Sequence, residues 1–390
     1  MDTRTVVQVG VLFSRSGPYA DLGEQGYAGT MAGIAAVNAR TGLPFRLEAS
    51  VADPKGNTDR YAALAAELVS GGEVRHIVGC TTSWSRKEVI PVLEKTQALL
   101  WYPCVYEGFE ANENVVYVGA CANQHILPLL EFALPAFGRR GFLLGSNYIW
   151  GWETCRIARD VILRSGGEVL GERHVPLGDA DIDRIIDEIH RKKPDFILNS
   201  LIGPSSYAFL RAYRALGERD GDFAPGRRPV LSCNLGENEI VKIMPAAEGH
   251  YTTATYFETL ETQENARFLA GLPKDARAAG ISAFFAQAYS AVLLIAAGIE
   301  AAGEAAALDV LEAVKARAVE TPFGPLRIDP ANNHIHVVAH VARATAGGRY
   351  DIVRQGRDAI APDPFLIRSA LAVPAIETAT TPSRPQLRLV

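Results

Sequence analysis

The sequence predicts an α/β protein built as two doubly wound lobes. Short apolar runs alternate with amphipathic stretches, the pattern of βα units around a parallel sheet. That alternation stops and restarts near Gly119–Asn123, and the 390 residues exceed one ordinary domain.

Residues 6–13 read as the first strand, and Gly17-Pro18 turns the chain into a helix carrying Met31, Ile34 and Val37. Residues 45–51 form the second strand, followed by Tyr61, Leu64, Ala65 and Leu68 at helical spacing. Three more short strands are expected at 76–79, 98–102 and 115–118, with a helical segment carrying Val89, Val92 and Leu93 between the first two. From Gln124 the order is helix to Phe137, strand 141–145, helix 152–165 and strand 168–175. It continues with helix 180–192, strand 196–200, helix 205–216 and strand 230–232. Beyond these lie an extended run at 251–256, helices over 283–299 and 307–316, and strands 323–328, 335–341 and 350–354. The tail after Arg368, rich in Ala, Thr and Pro, has no periodicity and is expected to be an extended or disordered arm.

Composition narrows the function classes. With 48% hydrophobic and 21% charged residues, the chain is neither disordered nor a coiled coil. A net charge of −5, with no long Lys/Arg cluster, argues against direct contact with nucleic acid or an anionic membrane. The apolar stretch 281–299 is broken by Ser282, Gln287 and Ser290 and reads as a core helix. The first five residues run straight into a strand pattern, so the expected compartment is cytoplasmic, or periplasmic if a leader has been removed. Five cysteines form no CxxC pair and are odd in number, which suits buried reduced thiols without disulfides.

Familiar catalytic signatures are missing. The first strand ends in Val9-Gly-Val-Leu-Phe-Ser-Arg-Ser-Gly17, which is not a dinucleotide fingerprint, and no P-loop, nucleophile elbow or HExxH follows. His334, His336 and His340 share a strand face by period two. His340 would lie about 20 Å from His334 on an extended strand, too far for one metal. No metal, no cofactor and no enzymatic activity are expected.

The informative segments are loops at the C-terminal ends of strands, where open α/β sheets bind ligands. After the third strand comes Gly79-Cys-Thr-Thr-Ser-Trp-Ser-Arg-Lys-Glu88, hydroxyl-rich and holding Ser85-x-x-Glu88 in the form of a capping box. Free backbone N–H groups there suit an oxygen, although Pro91 tells against a long helix beginning as early as Ser83. Trp101-Tyr-Pro-Cys-Val-Tyr-Glu-Gly-Phe109 and Gly145-Ser-Asn-Tyr-Ile-Trp-Gly-Trp152 supply aromatics at strand ends of both lobes. Opposed aromatic faces make a dry slot with tyrosine hydroxyls as polar handles.

Phe13-Ser-Arg-Ser-Gly-Pro-Tyr-Ala20 and Asp53-Pro-Lys-Gly-Asn57 resemble the type I periplasmic binding proteins of the branched-chain amino acid transporter class. Residues 78–92, Tyr102-Pro, Tyr106-Glu-Gly-Phe-Glu110, Gly145-Ser-Asn-Tyr148 and Asn332-Asn-His334 together resemble a narrower group. It comprises the amide-sensing negative regulator of the bacterial aliphatic amidase operon and the related urea and short-chain amide binding proteins. The resemblance runs over roughly residues 5–368. It implies a type I periplasmic-binding-protein fold, two lobes joined by three crossovers and closing on a ligand in the cleft. The lobes would comprise residues 1–121 with 252–331 and residues 122–251 with 332–368, leaving 369–390 as the tail.

By position, the resemblance places Ser83 at the helix-start oxygen site and has Tyr102 and Tyr148 wall the ligand. Thr81 stands where the regulator has a tyrosine, and Cys104 and Val105 replace a Thr-Pro pair. Asn234 and Glu237, after a second-lobe strand, complete the expected ligand contacts, and Glu237 could serve the ammonium of an amino acid. The function implied is a sensor of a small polar neutral ligand, working as a homo-oligomer with an RNA-binding antitermination partner. The alternative is the substrate-binding component of an ABC importer for amides, urea or branched-chain amino acids, with a permease as partner.

Overall fold

The computed structural model describes residues 3–373, and these form two main sheets, one parallel and one mixed, each flanked by helices. The first is formed by β1 (Thr5–Leu12), β2 (Phe45–Ala52), β3 (His76–Gly79), β4 (Leu99–Tyr102) and β5 (Val115–Tyr117), in the order β2-β1-β3-β4-β5. β3, β4 and β5 are buried along their whole lengths, which is why they read as continuous apolar runs and not as alternation.

The second sheet starts with β6 (Arg140–Ser146), β7 (Glu168–Val175), β8 (Phe196–Ser200), β9 (Val230–Ser232) and β10 (Tyr251–Ala254). A hairpin follows, β11 (Val319–Thr321) with β12 (Gly324–Leu326), and then β13 (His340–Ala344) and β14 (Tyr350–Arg354). The order is β14-β13-β10-β9-β8-β6-β7, with β13 antiparallel to β10 and β14 antiparallel to β13.

Helix Ala283–Ala302 ties the late part of the chain to the first lobe. Ser282 caps it by accepting from Phe285 N, and Gly303 ends it in the left-handed region at φ 75°. It lies so close to helix Ala20–Asn38 that a Cβ on Gly29 would sit 2.3 Å from the Phe285 carbonyl oxygen. The helix is long and apolar enough to cross a membrane by composition, yet 72% of its most apolar window is buried inside the protein.

Several expectations shift. Thr252 and Thr253 pair with β13, and Thr252 also pairs with β9, so the chain leaves the second lobe after Ala254 and not at Thr252. Asn333 accepts from Tyr117 N and His334 bridges to Tyr117, which keeps both on the edge of the first sheet instead of the second lobe. The 323–328 strand is half of the β11–β12 hairpin, and of 335–341 only His340 and Val341 join the sheet.

Part of the expected tail is docked. Val373 N donates to Ser165 Oγ at 2.8 Å, and Leu371 and Val373 pack on the apolar cluster under helix Ile149–Arg164. The rest of the tail, 374–390, lies outside the described residues.

Candidate functional site

Four strand-end loops meet between the lobes: those after β3 and β4 from the first, and those after β6 and β9 from the second. They enclose a cavity leaving about 70 Å³ for the centre of a water-sized sphere. Thr81, Ser83, Tyr102, Cys104, Val105, Tyr148, Asn234 and Glu237 all line it. Shared placement at strand ends brings together residues more than 150 positions apart in sequence.

Helix Ser83–Thr96 aims its N-terminus at this cavity. Its cap is Thr82, whose side chain accepts from Ser85 N, while Ser85 Oγ accepts from Thr82 N at 3.0 Å and Thr81 N at 3.3 Å. The capping box therefore sits three residues earlier than Ser85-x-x-Glu88. The helix also runs through Pro91, which lies on the solvent face with Lys87, so the carbonyl that loses its N–H partner is close to water. The first turn leaves the Ser83 and Trp84 N–H groups without intrahelical acceptors.

A buried ionic cluster supports that helix start. The Ser83 hydroxyl donates to Glu107 Oε2 at 2.6 Å, and Glu107 Oε1 lies 3.7 Å from the Arg86 guanidinium. Arg86, wholly buried, pairs with Glu110 at 2.6 Å and packs over the Tyr102 and Tyr106 rings at 4.6 Å each. Burial opposes ionisation of Glu110, but Arg86 and Lys87 outweigh it and hold the carboxyl down to about 2.

The other walls are aromatic or uncharged. The Tyr102 hydroxyl donates to the Thr81 carbonyl at 3.0 Å. Tyr148, opposite, stands at the start of helix Ile149–Arg164 with its ring 5.6 Å from Trp84 of the first lobe. Burial pushes both phenols up and lifts the Cys104 thiol to about 12. Asn234 Nδ2 donates to the Leu201 carbonyl, which fixes the loop after β9. Glu237 Oε1 accepts from Glu258 N at 2.9 Å, and burial lifts its carboxyl to about 8.

Sequence reasoning gave no role to several lining groups. His125 sits one turn into helix Ala122–Phe137, the first helix after β5, so the strand-end rule pointed to it. Its Nε2 lies 2.9 Å from the Tyr106 carbonyl, and burial lowers it to about 4, so it is neutral at pH 7. Gln287, which interrupts an apolar helix, has its polarity explained by the cavity and by its amide, which hydrogen-bonds the Thr255 hydroxyl at 3.1 Å and, with its nitrogen turned the other way, reaches the Pro103 carbonyl at 2.8 Å. Glu107 does not line the cavity and acts through Ser83, a relation with no sequence signal.

The three histidines 334, 336 and 340 do not converge. His334 stacks on Tyr117 at 4.0 Å, His336 faces Asp329, and His340 accepts from Gly356 N. No metal-type cluster of His, Cys, Asp or Glu occurs among the described residues. All five cysteines are buried and unpaired.

The lobes touch across the cavity. Asp21 of the first lobe accepts from Tyr207 of helix Pro204–Arg219 at 2.7 Å and pairs with Lys242 of helix Glu237–Ile243. The Pro18 carbonyl lies against Gly203, where a Cβ would approach it to 2.4 Å. This is a closed arrangement.

Comparison with known proteins agrees with this geometry. Residues 7–370 match the family described as periplasmic binding protein domain. The chain is 27% identical to a Leu/Ile/Val-binding protein homolog of Brucella abortus, over 89% of this chain and 90% of that one. It is 25% identical to the leucine-, isoleucine-, valine-, threonine- and alanine-binding protein of Pseudomonas aeruginosa, over 80% of this chain and 83% of that one. Among solved structures, an ABC transporter solute-binding protein of Rhodopseudomonas palustris in complex with p-hydroxybenzoic acid superposes with a TM-score of 0.82 at 23% identity. That match covers 94% of this chain and all of the other (100%). With two α/β lobes, a cleft at the strand ends and a match along nearly its whole length, the chain belongs to the periplasmic binding protein family.

Proposed function

We propose that the protein is the substrate-binding component of an ABC importer and closes on a small, uncharged polar solute of the short-chain amide or urea type. One observation carries the choice of solute: among the described residues, no Lys or Arg lines the cavity. The one lining histidine is neutral at pH 7, and burial favours the protonated form of Glu237. A carboxylate entering this space would lose its hydration without meeting a counter-charge. A neutral amide or urea needs only backbone N–H groups, hydroxyls and acceptors, all of which are present. The importer role is supported by the relatives, named as amino acid or ABC solute-binding proteins. The amide-sensor role, with an antitermination partner, is supported by the motif resemblance alone.

A second reading rests on Glu237. An ammonium group beside this buried carboxyl would restore its ionisation, as binding of a branched-chain amino acid requires. Calorimetry with propionamide, urea, leucine, valine and benzoate separates the readings. Amides or urea should bind and benzoate should not; tight binding of leucine alone would move the assignment to amino acids. Tyr148→Ala should weaken the bound solute more than Tyr148→Phe, because the slot then loses an aromatic wall as well as a hydroxyl. For the role, deleting the gene should abolish uptake of the labelled solute. Normal uptake with derepressed amidase activity would return the assignment to the regulator.

A further inference from the structure

The first-lobe face of the cavity is one-sided in its hydrogen bonding. Ser83 has one hydroxyl proton, and it is engaged by Glu107 Oε2 at 2.6 Å. Tyr102 has one, engaged by the Thr81 carbonyl at 3.0 Å. His125 Nε2 faces a carbonyl oxygen and must carry the ring proton, which leaves Nδ1 as a bare acceptor. That Nδ1 is buried without a partner, as is Asn238 Oδ1, whose Nδ2 donates to the Asp21 carbonyl. Three side chains on the first-lobe face of the cleft and its neighbouring helix thus offer lone pairs and no protons. On this face the donors left to the solute are the Thr81 hydroxyl, buried without a partner, and the N–H groups at the start of helix Ser83–Thr96, while across the cleft the Tyr148 hydroxyl and the protonated Glu237 carboxyl can donate.

We infer that Glu107 and His125 set the hydrogen-bond polarity of this face of the cleft, so that a solute is admitted only if the part of its head group that meets this face carries N–H donors. This rests on the reading of the cleft as a small-solute site and adds the residues that enforce selection there. Glu107 is a positioning residue: it touches Ser83, not the cavity. Its fully buried neighbour Arg86 orients it, with Oε1 towards the guanidinium and Oε2 towards the hydroxyl. A carboxylate or ester of the same shape would set lone pairs against lone pairs at Ser83 and His125, a repulsive arrangement that discriminates without any added contact.

Glu107→Gln provides a directional test. Arg86 should hold the amide oxygen on its own side, which places the NH₂ group beside Ser83 and reverses the polarity there. The parent protein should bind propionamide about a hundredfold or more tighter than propionate. Glu107→Gln should narrow that ratio by about tenfold, whereas a structural defect would weaken both solutes together. His125→Phe should weaken propionamide and, by removing one opposing lone pair, bind propionate at least as well as the parent. Nitrogen-15 NMR of the histidine-labelled, solute-free protein should show His125 Nδ1 unprotonated at pH 7. Equal binding of the two solutes by the parent, an unchanged ratio in Glu107→Gln, or a protonated Nδ1 would overturn the inference. A parent that binds neither solute overturns the small-solute reading instead, and the NMR result still decides the polarity.

Discussion

The Tyr207 hydroxyl of the second lobe lies 2.7 Å from Asp21 Oδ2 of the first and 2.9 Å from Glu239 Oε1 of its own. One phenolic proton cannot serve two carboxylates, so the arrangement requires a second proton. Burial supplies the means by lifting Glu239 to about 7, which lets its carboxyl donate to Tyr207 while Tyr207 donates to Asp21. Removing the hydroxyl with Tyr207→Phe should loosen the closed form. Solute affinity should fall about tenfold, the loss of one bond to a charged group, and small-angle scattering should show a larger solute-free particle. Unchanged affinity would mean that the contact does not hold the lobes together.

Gly203 is the second interlobe point. Its φ of +56° and the 2.4 Å approach of a Cβ to the Pro18 carbonyl both exclude a side chain. Gly203→Ala should therefore act on closure more than on folding. We expect at least a tenfold loss of affinity, with a modest fall in Tm from the strained backbone. Equal losses in both measurements would place the defect inside the second lobe.

Arg86 is the most exposed to substitution in the energetic sense, because it is wholly buried between Glu107 and Glu110. Arg86→Ala leaves the buried Glu107 without a cation and Glu110 with Lys87 alone, and should cost about 3–5 kcal/mol of stability. Denaturant unfolding measures this directly. Lys87 still pairs with Glu110, so adding Glu107→Gln should recover part of the loss, since the carboxylate left without a cation is then gone.

Stability should peak near pH 6.5. His76, His125, His334 and His340 are lowered to about 4 and His250 to about 3 by burial, so the unfolded chain takes up protons first as pH falls below the ordinary histidine value. Their contribution is complete above about pH 6.5 and is lost on acidification. Glu237 and Glu239 act in the opposite sense. With folded values of about 8 and 7, they hold protons that the unfolded chain has released, so stability falls as pH rises through those values. Five histidines outweigh two glutamates below pH 6.5, the glutamates dominate from there to about pH 8, and the five buried thiols, all raised by burial, add to the loss as pH nears 9. Thermal unfolding across pH 5–9 should show this maximum, and Glu237→Gln should flatten its alkaline side.

Local rules made the first two-thirds of the chain legible. β3, β8 and β9 fall where apolar runs and flanking helices put them, because a strand buried on both faces has a signature of its own. Residues 319–341 were harder. Ile328 and Ile335 bridge each other, His334 stacks on Tyr117, and β13 starts only at His340, so tertiary partners decide which extended residues join a sheet. The helix cap was misplaced because Ser85 fits both roles, N-cap of a later helix and third residue of this one. In the cleft, residue type and strand-end position located Thr81, Ser83, Tyr102 and Tyr148. The tie between Ser83 and Glu107 depends on side-chain direction, which no spacing encodes.

The chain passes between the lobes beside itself. Gln124 Nε2, just past the first passage, donates to the Ile335 carbonyl of the last, and Thr253 Oγ1, just before the middle one, donates to the His340 carbonyl. Strands stitched together in this way can twist as a unit but cannot splay, which leaves the lobes essentially one axis of rotation. A body with one freedom to lose gives up little entropy when it shuts, so most of the attraction between solute and wall is retained as affinity. The same economy governs release: a torque applied anywhere far from that axis, by any partner gripping both lobes, opens the whole cleft.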